Sequence, residues 1–301
     1  MKSSAMLLFA TVLASVPGSL AQEATYISKS YSTTFTKGLV RTMESQQFLD
    51  QAPHQSFVQL NTEVPSKFSL RGRAGPVENQ GSCGACWDFA LTTTLRGTLA
   101  MLGRDPGRLS FNYLLNCATT MYGCWGGDFT AASYLVKPKG APAYGSDGEY
   151  TGQQSSCYPS TPVASLVSYK VLGTGYGQAA VSFKDIAYVV GVLHQPVAID
   201  INADQELMSY SGGVYNGCTG DTGVDHMVVV EGYDCESSID EKGSCAFDSS
   251  GNLPAGVGTY LIRNSWGATW GDHGYVTMKA TDAYGRRCNA VASDALYFSG
   301  N

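Results

Sequence analysis

Two kinds of apolar pattern run along the chain. From Cys86 onward, Leu91, Leu95, Leu99 and Leu102 recur at spacings of three and four, and Gly103 and Pro106 follow. That is one apolar helical face with its stop signals. "LSFNYLLNC", residues 109–117, is a second helix-like stretch. The later half of the chain reads differently: "PVAIDIN", "HMVVVEGY", "GTYLIR" and "GYVTMKA" are short runs rich in β-branched and aromatic residues, which predict strands. Helices first and strands afterwards predict an α+β architecture. Residues 234–257 are rich in Ser, Asp and Gly and read as a surface loop.

The N-terminus follows neither pattern. Lys2 precedes an apolar stretch, residues 5–16, interrupted by Thr11 and Ser15; Pro17 breaks it, and "SLA" at 19–21 supplies small residues. This predicts a signal peptide over 1–21, cut near Ala21, because the stretch is too short to span a bilayer. Export to the secreted space or another extracytoplasmic compartment, such as a periplasm or a lysosome-like vacuole, follows from it.

Composition narrows the function. At 301 residues with 44% hydrophobic side chains the chain can bury a full core, and a net charge of −6 leaves no basic stripe for a phosphate backbone. Nucleic acid is excluded as a partner on that ground. The chemistry lies in the nine cysteines, an odd number, which in an exported chain leaves one thiol outside the disulfides. "GSCGACW" sets Cys83 and Cys86 three positions apart. Such a pair serves as a redox dithiol, as half of a zinc site, or as a structural cysteine beside a catalytic one. A zinc site wants a second close pair, whereas His54, His194, His226 and His273 are scattered. A thioredoxin-like dithiol has its tryptophan before the motif, and Trp87 follows it. Both alternatives are thus weaker than the third.

"GPVENQGSCGACW", "GCWGG", "VDH" and "NSWGATWGDHGY" occur in this order, and over roughly residues 64–297 the chain resembles the papain-like cysteine proteases. The resemblance implies a two-domain fold, a helical N-terminal domain and a β-rich C-terminal domain with the active-site cleft between them, over residues 63–301. It implies a cysteine endopeptidase with Cys86 as nucleophile, His226 as base, Asn264 as orienter of the imidazole and Gln80 as oxyanion donor. Trp266 would shield the His226–Asn264 hydrogen bond. It further implies disulfides Cys83–Cys124, Cys117–Cys157 and Cys218–Cys288, which leave Cys235 and Cys245 to close the 234–257 loop and Cys86 unpaired. Gly126 and Gly127 would pair with an extended peptide, with Asp128 at the rim. Phe129, Val224 and Ser293 would line the pocket for an apolar side chain two residues before the cut. No metal or cofactor is implied. The expected partners are peptide or protein substrates and protein inhibitors, without a membrane, for a monomeric enzyme.

The physics of the helix start supports a standing thiolate–imidazolium pair at Cys86 and His226, because the helix dipole favours an anion there. Asp88, in the first turn of the same helix, opposes it. Segment 22–62 is shorter than the helical proregion common in the family, which runs backwards through the cleft. "YISKSYSTTFTKG", residues 26–38, has no extended three-to-four repeat. The segment is expected to be a short, mostly extended propeptide, or an N-terminal arm, with residues 38–60 able to cover the cleft as one short helix and a strand. The rival classes are a dithiol oxidoreductase, which needs a Cys83–Cys86 bond, and a non-catalytic peptide-binding relative, which would lack one of Cys86, His226 and Asn264.

Overall fold

The run beginning at His226 is apolar at nearly every position because both its faces are buried. In the computed structural model, which describes residues 36–173, 181–218 and 223–300, it forms a nine-residue strand. The expected signal peptide, residues 1–21, and residues 22–35 of the expected propeptide lie outside the described residues. The strands in chain order are β1 (His54–Gln55), β2 (Lys67–Ser69), β3 (Ala141–Pro142), β4 (Pro162–Ala164), β5 (Ser168–Leu172), β6 (Val197–Ile201), β7 (Val214–Tyr215), β8 (His226–Asp234), β9 (Thr259–Arg263), β10 (Tyr275–Lys279) and β11 (Ala295–Ser299). The helices are α1 (Met43–Gln51), α2 (Cys86–Met101), α3 (Asn112–Cys117), α4 (Phe183–Gly191) and α5 (Gln205–Met208). Nine of the strands form one sheet in the order β1-β5-β11-β6-β8-β9-β10-β7, with β2 added to β8, and β3 pairs with β4 separately.

Side chains alternate across this sheet, and each face meets its own core. Val228 and Val230 of β8, with Val197, Ile199 and Ile201 of β6, join one apolar cluster with Ile186, Val189 and Val190 of α4. Met227 and Val229, with Leu296 and Phe298 of β11, join the other, built around Leu91, Leu95 and Leu99 of α2. The sheet thus serves both the helical and the β-rich half, in an α+β fold. Four disulfides tie the loops: Cys83–Cys124, Cys117–Cys157, Cys218–Cys288 and Cys235–Cys245. Cys86 is the one free cysteine, and it is buried.

Helix α2 is buried almost all round, more deeply than a single leucine face requires. Its first ten residues, Cys86 to Leu95, are all buried. The threonines in that stretch satisfy themselves along the helix: Thr94 Oγ1 donates to the Ala90 carbonyl at 2.7 Å, and Thr92 Oγ1 to Asp88 Oδ1 at 2.9 Å. Asp88 is fully buried and its Oδ2 has no hydrogen bond. Burial pushes its pKa well above the carboxylate range, against the Thr92 hydrogen bond. Burial thus favours the protonated form of Asp88, which weakens the expected repulsion between it and a Cys86 thiolate.

A carboxyl whose folded pKa is raised holds its proton more tightly when folded. Its stabilising contribution is complete below the unfolded value, about 3.9, and is lost as pH rises toward the folded one. Asp88→Asn carries no such loss. The melting temperature of Asp88→Asn relative to the native chain should therefore rise as the pH is raised above the unfolded carboxylate value, about 3.9, by a few degrees, since about 1 kcal/mol moves a domain of this size by roughly 2–4 °C. Thermal unfolding monitored by circular dichroism measures it, and a difference independent of pH would contradict the upward shift of Asp88.

Candidate active site

Cys86 is the first residue of α2, where the backbone amides have no intrahelical acceptor. Ala85, the N-cap, offers no side-chain cap, so these amides and the positive end of the helix dipole remain available near the sulfur. The turn before it is fixed by the Cys83–Cys124 disulfide and by the Gly84 N–H, which donates to the Cys124 carbonyl at 2.9 Å. Cys83 is thus committed to Cys124, which removes the dithiol reading, and eight paired cysteines leave none for zinc. The Met227 N–H of β8 donates to Cys86 Sγ at 3.4 Å.

His226, immediately before Met227, is fully buried. Its Nε2 lies 2.8 Å from Asn264 Oδ1, and that oxygen also accepts the Ser265 N–H at 2.8 Å. An oxygen already accepting an amide proton identifies Nε2 as the protonated nitrogen. Nδ1, with no hydrogen bond, is then the basic nitrogen. Trp266 stacks on the imidazole at 4.7 Å between centroids and is itself braced edge-on by Trp270 at 5.1 Å. Gln80 is fully buried and oriented by Ser265, whose Oγ donates to Gln80 Oε1 at 2.6 Å. This leaves Gln80 Nε2 facing outward as a donor.

That donor is occupied. Residues 36–41 cross the site, and Gln80 Nε2 donates to the Thr36 carbonyl at 2.9 Å, as does Trp266 Nε1 at 3.1 Å. The Gly38 backbone N–H lies close to the Cys86 sulfur and opposes the rise of its pKa. Gly38 is required there, because a Cβ on it would lie 1.9 Å from the Gly84 carbonyl oxygen. Leu39 then pairs with Gly127 in parallel: Gly127 N–H donates to the Gly38 carbonyl at 2.8 Å and Val40 N–H to the Gly127 carbonyl at 3.0 Å. Lys37 binds Asp225 at 2.6 Å, and Arg41 binds both Asp200 and Asp294. The chain continues into α1, capped by Thr42, and β1, which joins the sheet edge beside β5.

Covering the site changes its charge state. Burial raises the Cys86 thiol to about 12, with the Met227 N–H the largest opposing effect. Burial lowers His226 to about 4 against the pull of Asn264. With the segment in place the two groups are a neutral thiol and a neutral imidazole rather than the standing ion pair that the helix dipole alone predicts. The physical reason is desolvation, which outweighs a helix terminus when both groups are fully buried.

The remaining sequence-predicted residues fall into two groups. Gly126 and Gly127 meet the crossing segment; a Cβ on Gly126 would lie 2.4 Å from Val40, and one on Gly127 would lie 2.5 Å from the Trp87 ring. Val224 is half-buried and Phe129 buried, both against the cluster that also takes up Leu39. Asp128 is not an open rim carboxylate: it is buried and caps the turn Phe129–Tyr134, its Oδ1 accepting Thr130 N–H at 2.8 Å. Ser293 is buried and its hydroxyl donates to the Ala290 carbonyl at 2.8 Å. Sequence reasoning missed Thr36, Gly38, Arg41, Asp200, Asp225, Ser265 and Asp294. The legible signal was Asp200, a lone acid inside the apolar run "PVAIDIN".

The description "Papain family cysteine protease" matches residues 64–298. Cathepsin K of Mus musculus is 34% identical over 226 residues, 71% of this chain and 60% of that protein. Senescence-specific cysteine protease SAG12 of Arabidopsis thaliana is 30% identical over 213 residues, 69% of this chain and 54% of that protein. The chain thus spans about half the length of the curated relatives it matches. The structure of digestive procathepsin L2 proteinase from Tenebrio molitor larval midgut superposes with a TM-score of 0.68 at 25% identity, covering 88% of this chain and 78% of that one. With a family match over most of its length and a site built from Cys86, His226, Asn264 and Gln80, the chain belongs to the papain family of cysteine proteases.

Proposed function

We propose that this chain is the precursor of a cysteine endopeptidase that hydrolyses peptide bonds through an acyl-enzyme on Cys86. The observation that carries it is that the one cysteine outside the four disulfides stands at a helix N-terminus against the strand that opens with His226. Once substrate replaces the crossing segment, His226 Nδ1 takes the Cys86 proton and the thiolate attacks the peptide carbonyl. The resulting oxyanion is met by Gln80 Nε2 and the Cys86 N–H, donors of a kind worth about 3 kcal/mol each. The imidazolium returns its proton to the departing amine, leaving a thioester. Water, deprotonated by the same ring, then releases the acid and restores Cys86. Asn264 holds the ring in the tautomer this needs. No histidine occurs between His54 and His194 to hold a substrate carboxylate, which supports endopeptidase action.

Residues 22–62 act as a short propeptide in this reading, and inhibition is steric. The Thr36 carbonyl occupies the Gln80 donor while Gly38 stands at the Cys86 sulfur. Donor and nucleophile thus address positions two residues apart, so no single carbonyl is polarised and attacked at once. The segment blocks the site without being cleaved there. Four disulfides support an extracytoplasmic location, and no helix among the described residues is long and apolar enough to cross a membrane.

Three outcomes follow. After trimming by one added protease, Cys86→Ala and His226→Ala should each lose at least about a thousandfold in kcat/KM on a fluorogenic peptide, while Asn264→Ala loses less. Wild-type turnover by Cys86→Ala would sink the mechanism. Gly38→Val cannot fit against Gly84, so the untrimmed variant should show an initial rate about tenfold or more above the untrimmed native chain, the cost of the backbone hydrogen bonds it forfeits. An unchanged lag would argue against steric occlusion. N-terminal sequencing of the active form should find a start beyond Arg41, and full activity with a start near Gln22 would remove the propeptide.

A further inference from the structure

Arg41 is the last residue of the crossing segment before the cap of α1, and its guanidinium hydrogen-bonds two carboxylates at once, Asp200 and Asp294. Both acids are buried, at 0% and 2% exposure. Both belong to the sheet rather than to the segment. Asp200 lies in β6 opposite Met227 of β8, and the Asp294 N–H, just ahead of β11, donates to Asp200 Oδ1 at 2.9 Å. The Ala292 N–H donates to the Asp200 carbonyl at 3.0 Å, so the pair is fixed by backbone on each side.

Two buried carboxylates side by side are costly unless a cation is held between them. Burial and the neighbouring Asp294 push Asp200 up, and Arg41 opposes both. When the segment leaves, that cation leaves with it, while the strands that carry the acids remain. The pair lies within the cleft, since Met227 touches the Cys86 sulfur and Asp294 follows Ser293, where the pocket for the second residue before the cut is expected.

Resting on the protease reading, we propose that Asp200 and Asp294 form the floor of a specificity pocket that takes a cationic side chain of the substrate, two residues before the scissile bond. Arg41 is the stand-in for that side chain in the precursor. Two carboxylates around one site suit the planar, multi-donor guanidinium better than an ammonium, so arginine exceeds lysine. The apolar preference expected from Phe129 and Val224 is replaced by a charged one, because the acids come from β6 and from the residue just ahead of β11, positions that the sequence motifs do not include.

The test uses enzyme obtained by processing the full chain and fluorogenic peptides identical except for Arg, Lys or Leu two residues before the cut. The kcat/KM for Arg should exceed that for Leu by about tenfold or more, with Lys between, as charge-assisted hydrogen bonds of this kind imply. Asp294→Asn should reduce the Arg-to-Leu ratio by about tenfold, and Asp200→Asn should do the same. The ratio is read within one preparation, so a partly misfolded variant does not distort it. Hydrolysis of the Leu peptide as fast as the Arg peptide overturns the inference and reduces the pair to an anchor for Arg41, as does an Arg preference that survives both substitutions. Hydrolysis of none of the three removes the protease reading itself, and the inference with it.

Discussion

Cys86 and His226 are fully buried between a sheet packed on both faces and the segment of residues 36–41, and the behaviour of the site follows from that burial. On the sheet side nothing is free to move. β8 shares Met227 and Val229 with the α2 core and Val228 and Val230 with the α4 core, so a shift of its register by one residue would exchange the two sets. That constraint fixes His226 at the strand start and brings Met227 to the Cys86 sulfur. Across the site, Ser265 and Asn264 follow β9 directly and hold Gln80 and the imidazole by short hydrogen bonds.

The cover is built differently. Between Thr36 and Arg41 it touches the site chiefly through backbone and through charges at two points, Lys37 with Asp225 and Arg41 with the Asp200–Asp294 pair. Its apolar contribution centres on Leu39 and Val40. On the proposed reading, a strip held this way would be displaced by a substrate that offers the same backbone pairing to Gly127 and the same cation to the acids. The cover also sets the electrostatics. A helix terminus stabilises an anion by about 0.3–1 kcal/mol when exposed, which full desolvation of a thiol and an imidazole exceeds. With the cover in place the donor at Gln80 is filled and the thiol of Cys86 is pushed up to about 12.

Much of this was legible in the sequence, for definable reasons. The strands at 197–201, 226–234, 259–263 and 275–279 are long, apolar and β-branched, so their type needed no tertiary information. His226 and Asn264 sit at the ends of two such runs, where motif and local structure agree. Charge states and long-range contacts were less visible. The pKa of Asp88 is raised because the first ten residues of α2 are buried, and Thr92 and Thr94 turn their hydroxyls back on the helix, to Asp88 and the Ala90 carbonyl. Asp128 reads as a rim charge, but capping of the following turn consumes it. Asp200 and Asp294 are 94 residues apart in sequence, and only strand pairing in the sheet unites them. The close approach of Gly38 to Gly84 within residues 36–41 is likewise encoded by no local pattern.

Because Cys86 is the one free thiol, its alkylation by iodoacetamide reports directly on whether the cover discharges the pair. The rate measured from about pH 4 to pH 9 should be slow in the intact chain and climb with pH without a plateau, as for a thiol pushed up to about 12. In the processed chain it should be at least about a hundredfold faster near pH 6 and level off, as for a thiolate stabilised by an imidazolium. Equal rates and equal pH profiles in the two forms would contradict the account.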